Sequence, residues 1–572
     1  MSDATASFQA VPARRERLRP GVIAGPVALI LCGLLVLYPI GFLIEESLNT
    51  GDPQTFPATE FGFDNYRAVA EDLHLLGNTL EVAVVATVLA VLFGFTLAWI
   101  LTRTQVPGRA LLERLMELPY YMTPLVGALA WGILAGPKTG FINQIGHLAG
   151  ITGDIVNVYT PMGIAWVMAL FEGTVAFVMI GAAMKSMDSS LEEGARVVGA
   201  GRLRVILTIT LPMVLPGVLS ATVFVFAEML GAFAAAFVLG IPGRFFVITT
   251  AIWEATLSYP PDYGRAAALG LVLSIAMMVT LAIARLLARR GSFATISGKA
   301  FRPRPVAMGR GGWVLLVVCW GYVAVSVILP LAVLLLTSFQ KFATVMLRDS
   351  QFTLANYDSA LQMGTLGQAF RNSLVLGFSV ATIGVLITFT LAWIVHRSRT
   401  PGRGLFEYVA MFPQAVPRLV FGLGLLWAWV NLPIPIYGTL WLLGIAYITV
   451  FLPLGMRTLA GVMLQVDRSL EECAQVCGAP WLHRMRTITM PLLRPGLAAA
   501  WLLLFIASVR ELGVSIFLMG PNSKVIAPAI VNSWLSSSSE LSSAMALLQT
   551  ATVFAAMLVL FAAVRQVSGA RQ

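Results

Sequence analysis

From Pro20 to Ile44 the chain carries no charged side chain, and Val82 to Thr102 is equally clean. An α-helix crosses the hydrocarbon core of a bilayer in about 20 apolar residues. Inside lipid every backbone amide must find its partner within the protein, so only helices and closed barrels survive there. Runs of this length point to helices. Composition agrees, with 58% hydrophobic and 12% charged residues and a mean hydropathy of +0.82. Soluble domains carry about 25% charged residues. The expected fold class is an all-α polytopic membrane protein of about twelve transmembrane helices. They are expected near 22–44, 79–101, 115–136, 159–183, 214–239 and 265–288, then 312–336, 373–395, 407–431, 438–459, 493–519 and 542–564.

The net charge of +10 is placed for a membrane rather than for nucleic acid. Arg14, Arg15, Arg17 and Arg19 precede the first run, Arg103, Arg109 and Arg114 share a short loop, and Arg285, Arg289, Arg290, Lys299, Arg302 and Arg304 fill the middle of the chain. Glu45, Glu46, Asp52, Glu60, Asp64, Glu71 and Asp72 follow the first run instead. The positive-inside rule reads this as basic loops in the cytoplasm and an acidic loop outside, with both termini cytoplasmic and no nucleic-acid partner. The apolar run is long for a signal-peptide core and lacks a small-residue cleavage site, so it reads as a retained helix. Cys32, Cys319, Cys473 and Cys477 give no disulfide framework. Cys473 and Cys477 read as small apolar filler, and no metal site is expected.

The chain is written twice. Asn65-Tyr66 recurs as Asn356-Tyr357, Asn78-Thr79-Leu80 as Asn372-Ser373-Leu374, Thr96–Ile100 as Thr390–Ile394, and Pro107-Gly108-Arg109 as Pro401-Gly402-Arg403. The passage SLEEGARVVGAGRLRVILTITLPMVLPG from Ser190 returns as SLEECAQVCGAPWLHRMRTITMPLLRPG from Ser469. The change of offset puts extra residues of the first half in an outward loop near 137–157. Six spans per half make the repeats parallel, related by an axis along the membrane normal. The expected organisation is a basic tail (1–20), a first half (21–288, with the polar passage at about 186–217), a cytoplasmic linker (289–311) and a second half (312–566, passage at about 465–496).

The repeated passage is too short and polar to span. Ser190 with Glu193, and Ser469 with Glu472, fit capping boxes. Gly199 and Gly478 suit the left-handed stop of a helix. A second short helix is expected from Arg202 to about Thr210, ending at Leu211-Pro212. The product is a helix–turn–helix hairpin at the membrane surface, and two copies suit two partner subunits or a dimer.

Glu193-Gly194-Ala195, three residues, Gly199, nine residues, Ile209, one residue and Leu211-Pro212 resemble the EAA signature of ABC importer permeases of the type I fold. Glu472-Cys473-Ala474, Gly478, Ile488 and Met490-Pro491 resemble it again. Gly194, Cys473 and Met490 depart from it only by small or apolar replacements. The resemblance covers about 60–290 and 350–565 and implies a permease pair fused in one chain. It implies that each hairpin is a coupling helix, with Glu193, Ala195, Gly199, Ala200, Glu472, Ala474, Gly478 and Ala479 docking two copies of a cytoplasmic ABC ATPase. ATP and Mg would belong to that partner. No phosphate-binding loop occurs here, since Pro137 interrupts Gly136–Thr139, so the chain itself is expected to bind no cofactor and to have no catalytic residue.

Charges within spans are functional candidates by default. Glu228 and Glu511 sit in the fifth span of each half, at places read as matching, with Arg510 beside Glu511. They either face each other across the path, favouring a cationic solute, or make an interhelical hydrogen bond or ion pair that fixes packing. Glu172 lacks an acidic counterpart and reads as packing. The fused form and RELGVSIFLMGP resemble ferric-iron importer permeases, while thiamine, polyamine and phosphonate importers are related. The resemblance implies a periplasmic or lipid-anchored binding protein and a bacterial inner membrane. The competing class is a major-facilitator-like secondary transporter driven by an ion gradient. That fold would not need paired EAA hairpins, and its basic motif is absent from RTQVPGRALLER.

Overall fold

The computed structural model describes residues 20–51, 60–187, 190–290, 309, 311–344, 350–362, 366–398, 402–536 and 538–569. Among them the regular structure is helical, with two isolated bridges, Asn49 to Phe61 and Gln340 to Phe352. The first half contains α1 (Pro20–Leu48), α2 (Leu73–Arg103), α3 (Pro124–Ala135), α4 (Pro161–Ser186), α5 (Ser190–Val197), α6 (Leu203–Leu230) and α7 (Tyr263–Arg290). The second contains α8 (Gly311–Ser338), α9 (Leu366–His396), α10 (Arg418–Val430), α11 (Leu440–Gln465), α12 (Ser469–Val476), α13 (Trp481–Arg510) and α14 (Ser539–Gly569).

Nine helices among the described residues are long and apolar enough to cross a membrane, or up to eleven if each of two bent pairs is one span. The expected twelve is therefore not reached by this count. The spans expected at 115–136 and 407–431 are broken: Arg109–Tyr121 and α3 meet at 93°, and Arg403–Ala415 and α10 at 107°. Pro124 and Pro417 lie at the breaks, where proline disfavours helix in the preceding residue. The fifth spans begin about ten residues earlier than expected and end at Leu230 and Arg510.

The short helix after each hairpin turn does not stop before its proline. It widens into a π turn, Ile206–Thr210 or Met485–Thr489, and runs on into α6 or α13. Leu211 and Met490 each donate their N–H five residues back, to Ile206 and Met485. A proline lacks the N–H of the ordinary ladder and clashes with the carbonyl four residues back; the wide turn accommodates both. The hairpin is thus one short helix packed against the extended root of a span.

The repeated polar pairs make the same bonds in each half. Asn65 Nδ2 donates to the carbonyls of Ser47 (3.1 Å) and Asn49 (2.7 Å), and Asn356 Nδ2 to those of Ser338 (2.9 Å) and Gln340 (2.8 Å). Asn78 donates to the Phe246 carbonyl, and Asn372 to that of Lys524, both at 2.9 Å. In each half the second, fourth and fifth long helices pack together (α2, α4 and α6; α9, α11 and α13). The second and fourth helices approach closely where small residues meet. A Cβ on Gly94 of α2 would come within 2.5 Å of Ala176, and one on Gly455 of α11 within 2.7 Å of Thr388. The glycine has changed sides between the halves, but the close approach is kept.

The first helix of each half crosses to the other. α1 packs on α10 as well as α7, and α8 packs on α3 as well as α14. Gly424 of α10 lies against the Pro39 backbone, and the Tyr322 hydroxyl of α8 donates to the Leu170 carbonyl at 2.7 Å. The first half's extra residues fall between α3 and Thr160, where Phe141–Leu148 forms a helix. Thr160 and Thr439 then cap matching helices, accepting the N–H of Gly163 (3.1 Å) and Leu442 (3.4 Å).

Candidate functional site

Two places gather the candidate residues: the paired hairpins, and a charged cluster where the halves meet. On the hairpins, α5 and α12 end in the same way. Gly199 (φ +84°) and Gly478 (φ +81°) are left-handed. Ala200 N–H reaches back to the Ala195 carbonyl and Ala479 N–H to that of Ala474, each at 3.0 Å. These six-to-one bonds are Schellman caps, so the four alanines are the two ends of the turn that shapes each hairpin. Val197 and Val198 on the first tip, and Val476 on the second, are each more than 80% exposed. With Leu191 and Leu470 they leave an uncovered apolar surface on each hairpin.

The capping box expected from Ser469 and Glu472 is absent. Ser469 is already the first helical residue, and the N-cap, Arg468, has helical geometry and no side-chain cap. Asp467 Oδ1 accepts the Ser469 N–H at 2.9 Å instead, and the Ser469 bonds hold the Asp467 carboxyl below its usual range. In the first copy the residues before Ser190 lie outside the described residues. The anchoring acid is the other glutamate of each pair. Glu192 is buried, with Oε1 accepting from Thr210 Oγ1 at 2.6 Å and lying 3.6 Å from Arg103 Nε. Glu471 Oε1 accepts from Thr489 Oγ1 at 3.0 Å. Arg103 and Arg397, at equivalent places, donate to the Met184 (3.0 Å) and Met463 (2.6 Å) carbonyls at the ends of α4 and α11. Glu193 is half-buried and Glu472 exposed. Thr210 and Thr489, at the same 279-residue offset as SLEE, were the available clue.

At the second place Glu228 and Glu511 do converge, but on a residue that hydropathy did not single out. Arg418 opens α10 just after its bend. Its Nη2 lies 3.3 Å from Glu228 Oε2 and its Nη1 3.9 Å from Glu511 Oε2. The two acids are not in matching places, as the sequence had suggested. Glu228 is in the last turn of α6, whereas Glu511 follows the end of α13, one turn further on. In the register of the hairpins Glu228 corresponds to Ala507 and Glu511 to Ala232. Glu511 is buried and also accepts the Val514 N–H at 3.1 Å, which fixes the chain where it leaves α13. Arg510 turns the other way. Its Nη1 donates to the Tyr120 carbonyl at 2.5 Å, and its guanidinium stands 5.6 Å from the centre of the Tyr120 ring. Glu172, from α4, lies within electrostatic range of Glu228, Arg510 and Arg418. Among the described residues no group of three or more His, Cys, Asp or Glu side chains could hold a metal ion. Cys473 and Cys477 are free and exposed.

Known proteins give this architecture a place. A family model described as a binding-protein-dependent transport system inner membrane component matches residues 74–292 and 384–569, one segment in each half. The chain belongs to this family. The inner-membrane component is a multi-pass permease, and transport in the family depends on a binding protein. A probable ABC transporter permease protein of Sinorhizobium fredii is 26% identical over 80% of this chain and 81% of its own. An Fe(3+)-transport system permease protein of Haemophilus influenzae is also 26% identical, over 94% of this chain and 96% of its own. The molybdenum transport system permease protein of Escherichia coli is 36% identical, but over 37% of this chain and 91% of its own. A crystal structure of a bacterial ABC transporter importing the acidic polysaccharide alginate is 22% identical, with a TM-score of 0.40, covering 47% of this chain and 95% of that one.

Proposed function

We propose that the chain is the transmembrane pair of an ATP-driven importer, fused into one polypeptide, moving a solute handed over by a binding protein. The observation that carries this reading is the doubled hairpin: two Schellman-capped helices with bare apolar tips, each anchored by a glutamate and a threonine to the root of a span. Monomeric soluble proteins rarely leave large apolar patches uncovered, and such patches mark sites of protein association. Two equivalent surfaces suit two copies of a cytoplasmic ABC ATPase. Ala195, Gly199, Ala200, Ala474, Gly478 and Ala479 shape those surfaces, with Glu193, half-buried, and Glu472, exposed, available to meet the ATPase. Both hairpins and both termini then lie in the cytoplasm of a bacterial inner membrane, and ATP and Mg act in the partner.

Ferric iron is the leading cargo. It is named for full-length relatives that share the fused two-half form, whereas the molybdenum permease matches over little more than one third of this chain. Glu228 and Glu511 converge on Arg418 where the halves meet, two acids to one arginine, and that excess of negative charge suits a cation. The test is uptake by vesicles containing the chain with its ATPase and binding protein, offered ferric iron, molybdate, thiamine, polyamine or a phosphonate in parallel. Uptake of ferric iron that stops on ATP depletion but survives a proton uncoupler is the expected result. Uptake driven by an ion gradient without any ATPase would overturn the reading, and ATP-dependent molybdate uptake alone would overturn the cargo.

A further inference from the structure

The interior cluster is divided between the halves in an uneven way. Glu172 and Glu228 come from the first half; Arg418, Arg510 and Glu511 come from the second. The corresponding residues are Phe451, Ala507, Pro124, Gly231 and Ala232, none of them charged. Two arginines of the second half therefore reach into the first, one to Glu228 and one to the Tyr120 carbonyl.

Arg418 and Glu228 also stand at the unfavourable ends of their own helices. A cation at a helix N-terminus and an anion at a C-terminus both oppose the macrodipole. Arg418 is the first residue of α10, and Glu228 lies in the last turn of α6. Each charge is relieved by the other, so parting the halves leaves two charges that their own helices disfavour. Glu511 is different: it belongs to the same half as Arg418, is 2% exposed, and is pinned by the Val514 N–H. It stays with Arg418 if the halves separate. Arg418 itself lies between Glu228 and Glu511, one acid from each half. Beside the pair the halves approach closely, and a Cβ on Gly231 would lie 3.5 Å from the Pro417 Cβ.

We propose that Arg418 is a latch across the transport path, held on its own half by Glu511 and hooked onto Glu228 of the other half, so that the seam opens only when this hook is released. The proposal rests on the transport reading above and adds the residue that keeps the unloaded path shut. Arg418 acts here as a positioning residue; the cargo's own ligands are a separate matter.

The test uses the full chain alone in calcein-loaded liposomes, with external cobalt(II) as the probe and quenching as the measure of leak. Wild-type vesicles should quench as slowly as protein-free ones. R418Q should leak about tenfold faster, which corresponds to about 1.4 kcal/mol in the closing equilibrium. E228Q removes the same hook from the opposite side and should leak as well, and R418Q/E228Q should be no leakier than R418Q. The substitutions G231C and P417C supply the control for a merely structural effect. Their Cβ separation falls within the about 3.5–4.5 Å of disulfides, so oxidation should join the halves beside the latch. Formed in the R418Q background, that disulfide should return leak to the wild-type rate, and reduction should restore it. Tight vesicles from both R418Q and E228Q, or a leak that persists once the disulfide has formed, would overturn the latch. If one variant fails to reconstitute, the other decides. The assay needs neither ATPase nor binding protein. A complex that imports normally while R418Q stays tight therefore refutes only the latch, and a latched chain that never supports ATP-driven uptake refutes only the transport reading.

Discussion

At the scale of single residues, the buried glutamate of each hairpin matters more than its neighbour. Glu192 is 3% exposed, with the Thr210 hydroxyl and the Arg103 guanidinium at its carboxylate. Leaving a buried acceptor unsatisfied costs about 1–3 kcal/mol, whereas a typical intramolecular hydrogen bond contributes a net of about 0.5–1.5 kcal/mol. T210V should therefore lower the thermal unfolding midpoint of the purified protein more than T489V, because Glu471 is only part-buried. Tryptophan fluorescence on heating in detergent would report it, and equal midpoints for the two variants would remove the anchoring role from Glu192. The sequence showed that a polar passage was repeated but not which acid of SLEE turned inward. That choice depends on Thr210 and Arg103, which lie 18 residues ahead and 89 behind. Arg418 was hidden for a similar reason. It follows proline at a place where the first half has Pro124, so neither hydropathy nor the repeat drew attention to it.

At the scale of elements, two contacts invite substitution. Gly199 and Gly478 hold left-handed backbone at the hairpin turns, which costs an ordinary L-residue about 1–2 kcal/mol and is a true outlier for a β-branched one. G199V and G478V should insert normally, because no span is touched. Each should deform one hairpin tip, leaving ATPase activity in the assembled complex while transport per ATP falls. Unchanged coupling in both variants would count against docking through these turns. Gly94 tests helix packing instead. G94L has no room against Ala176 and the Phe177 backbone, and overpacking a close contact costs about 1–3 kcal/mol. It should reduce the yield of monodisperse protein, while leucine at Gly33, which has nothing within 4 Å, should not. Equal yields for the two variants would dismiss α2 and α4 as a tight pair. Helix existence was legible from apolar runs, as were the glycine stops and the place of the first half's extra residues. The bends before α3 and α10 were not, because the limbs on either side of each break read as one continuous span. The π turns were missed for the opposite reason: proline reads as a stop, yet the wide turn lets the helix continue.

At the scale of the whole molecule, the halves are bound by exchange as well as by charge. α1 leans on α10 of the second half, and α8 on α3 of the first, so each half is completed by a helix of the other. The complementary cluster adds direction. Two first halves would set Glu228 against the place of Pro124, and two second halves would set Arg418 against Ala507, leaving charges uncompensated in both cases. The linker that joins the halves, over 291–308, lies outside the described residues, and nothing in the contacts between α1 and α10 or between α8 and α3 depends on its being continuous. A chain divided there should reassemble. Fragments 1–300 and 301–572, co-expressed with an affinity tag on only one, should co-purify in equal amounts and regain import with the ATPase and binding protein. Either fragment alone should be recovered as aggregate or not at all, since α1 or α8 would present an uncovered face. R418E in the second fragment should weaken the pairing, because it sets a third acid against Glu228 and Glu511, whereas the charge-conserving R418K should keep it. Fragments that purify separately as stable, monodisperse species would show that each half is self-sufficient, and the exchanged helices would then be packing against a neighbour rather than completing it.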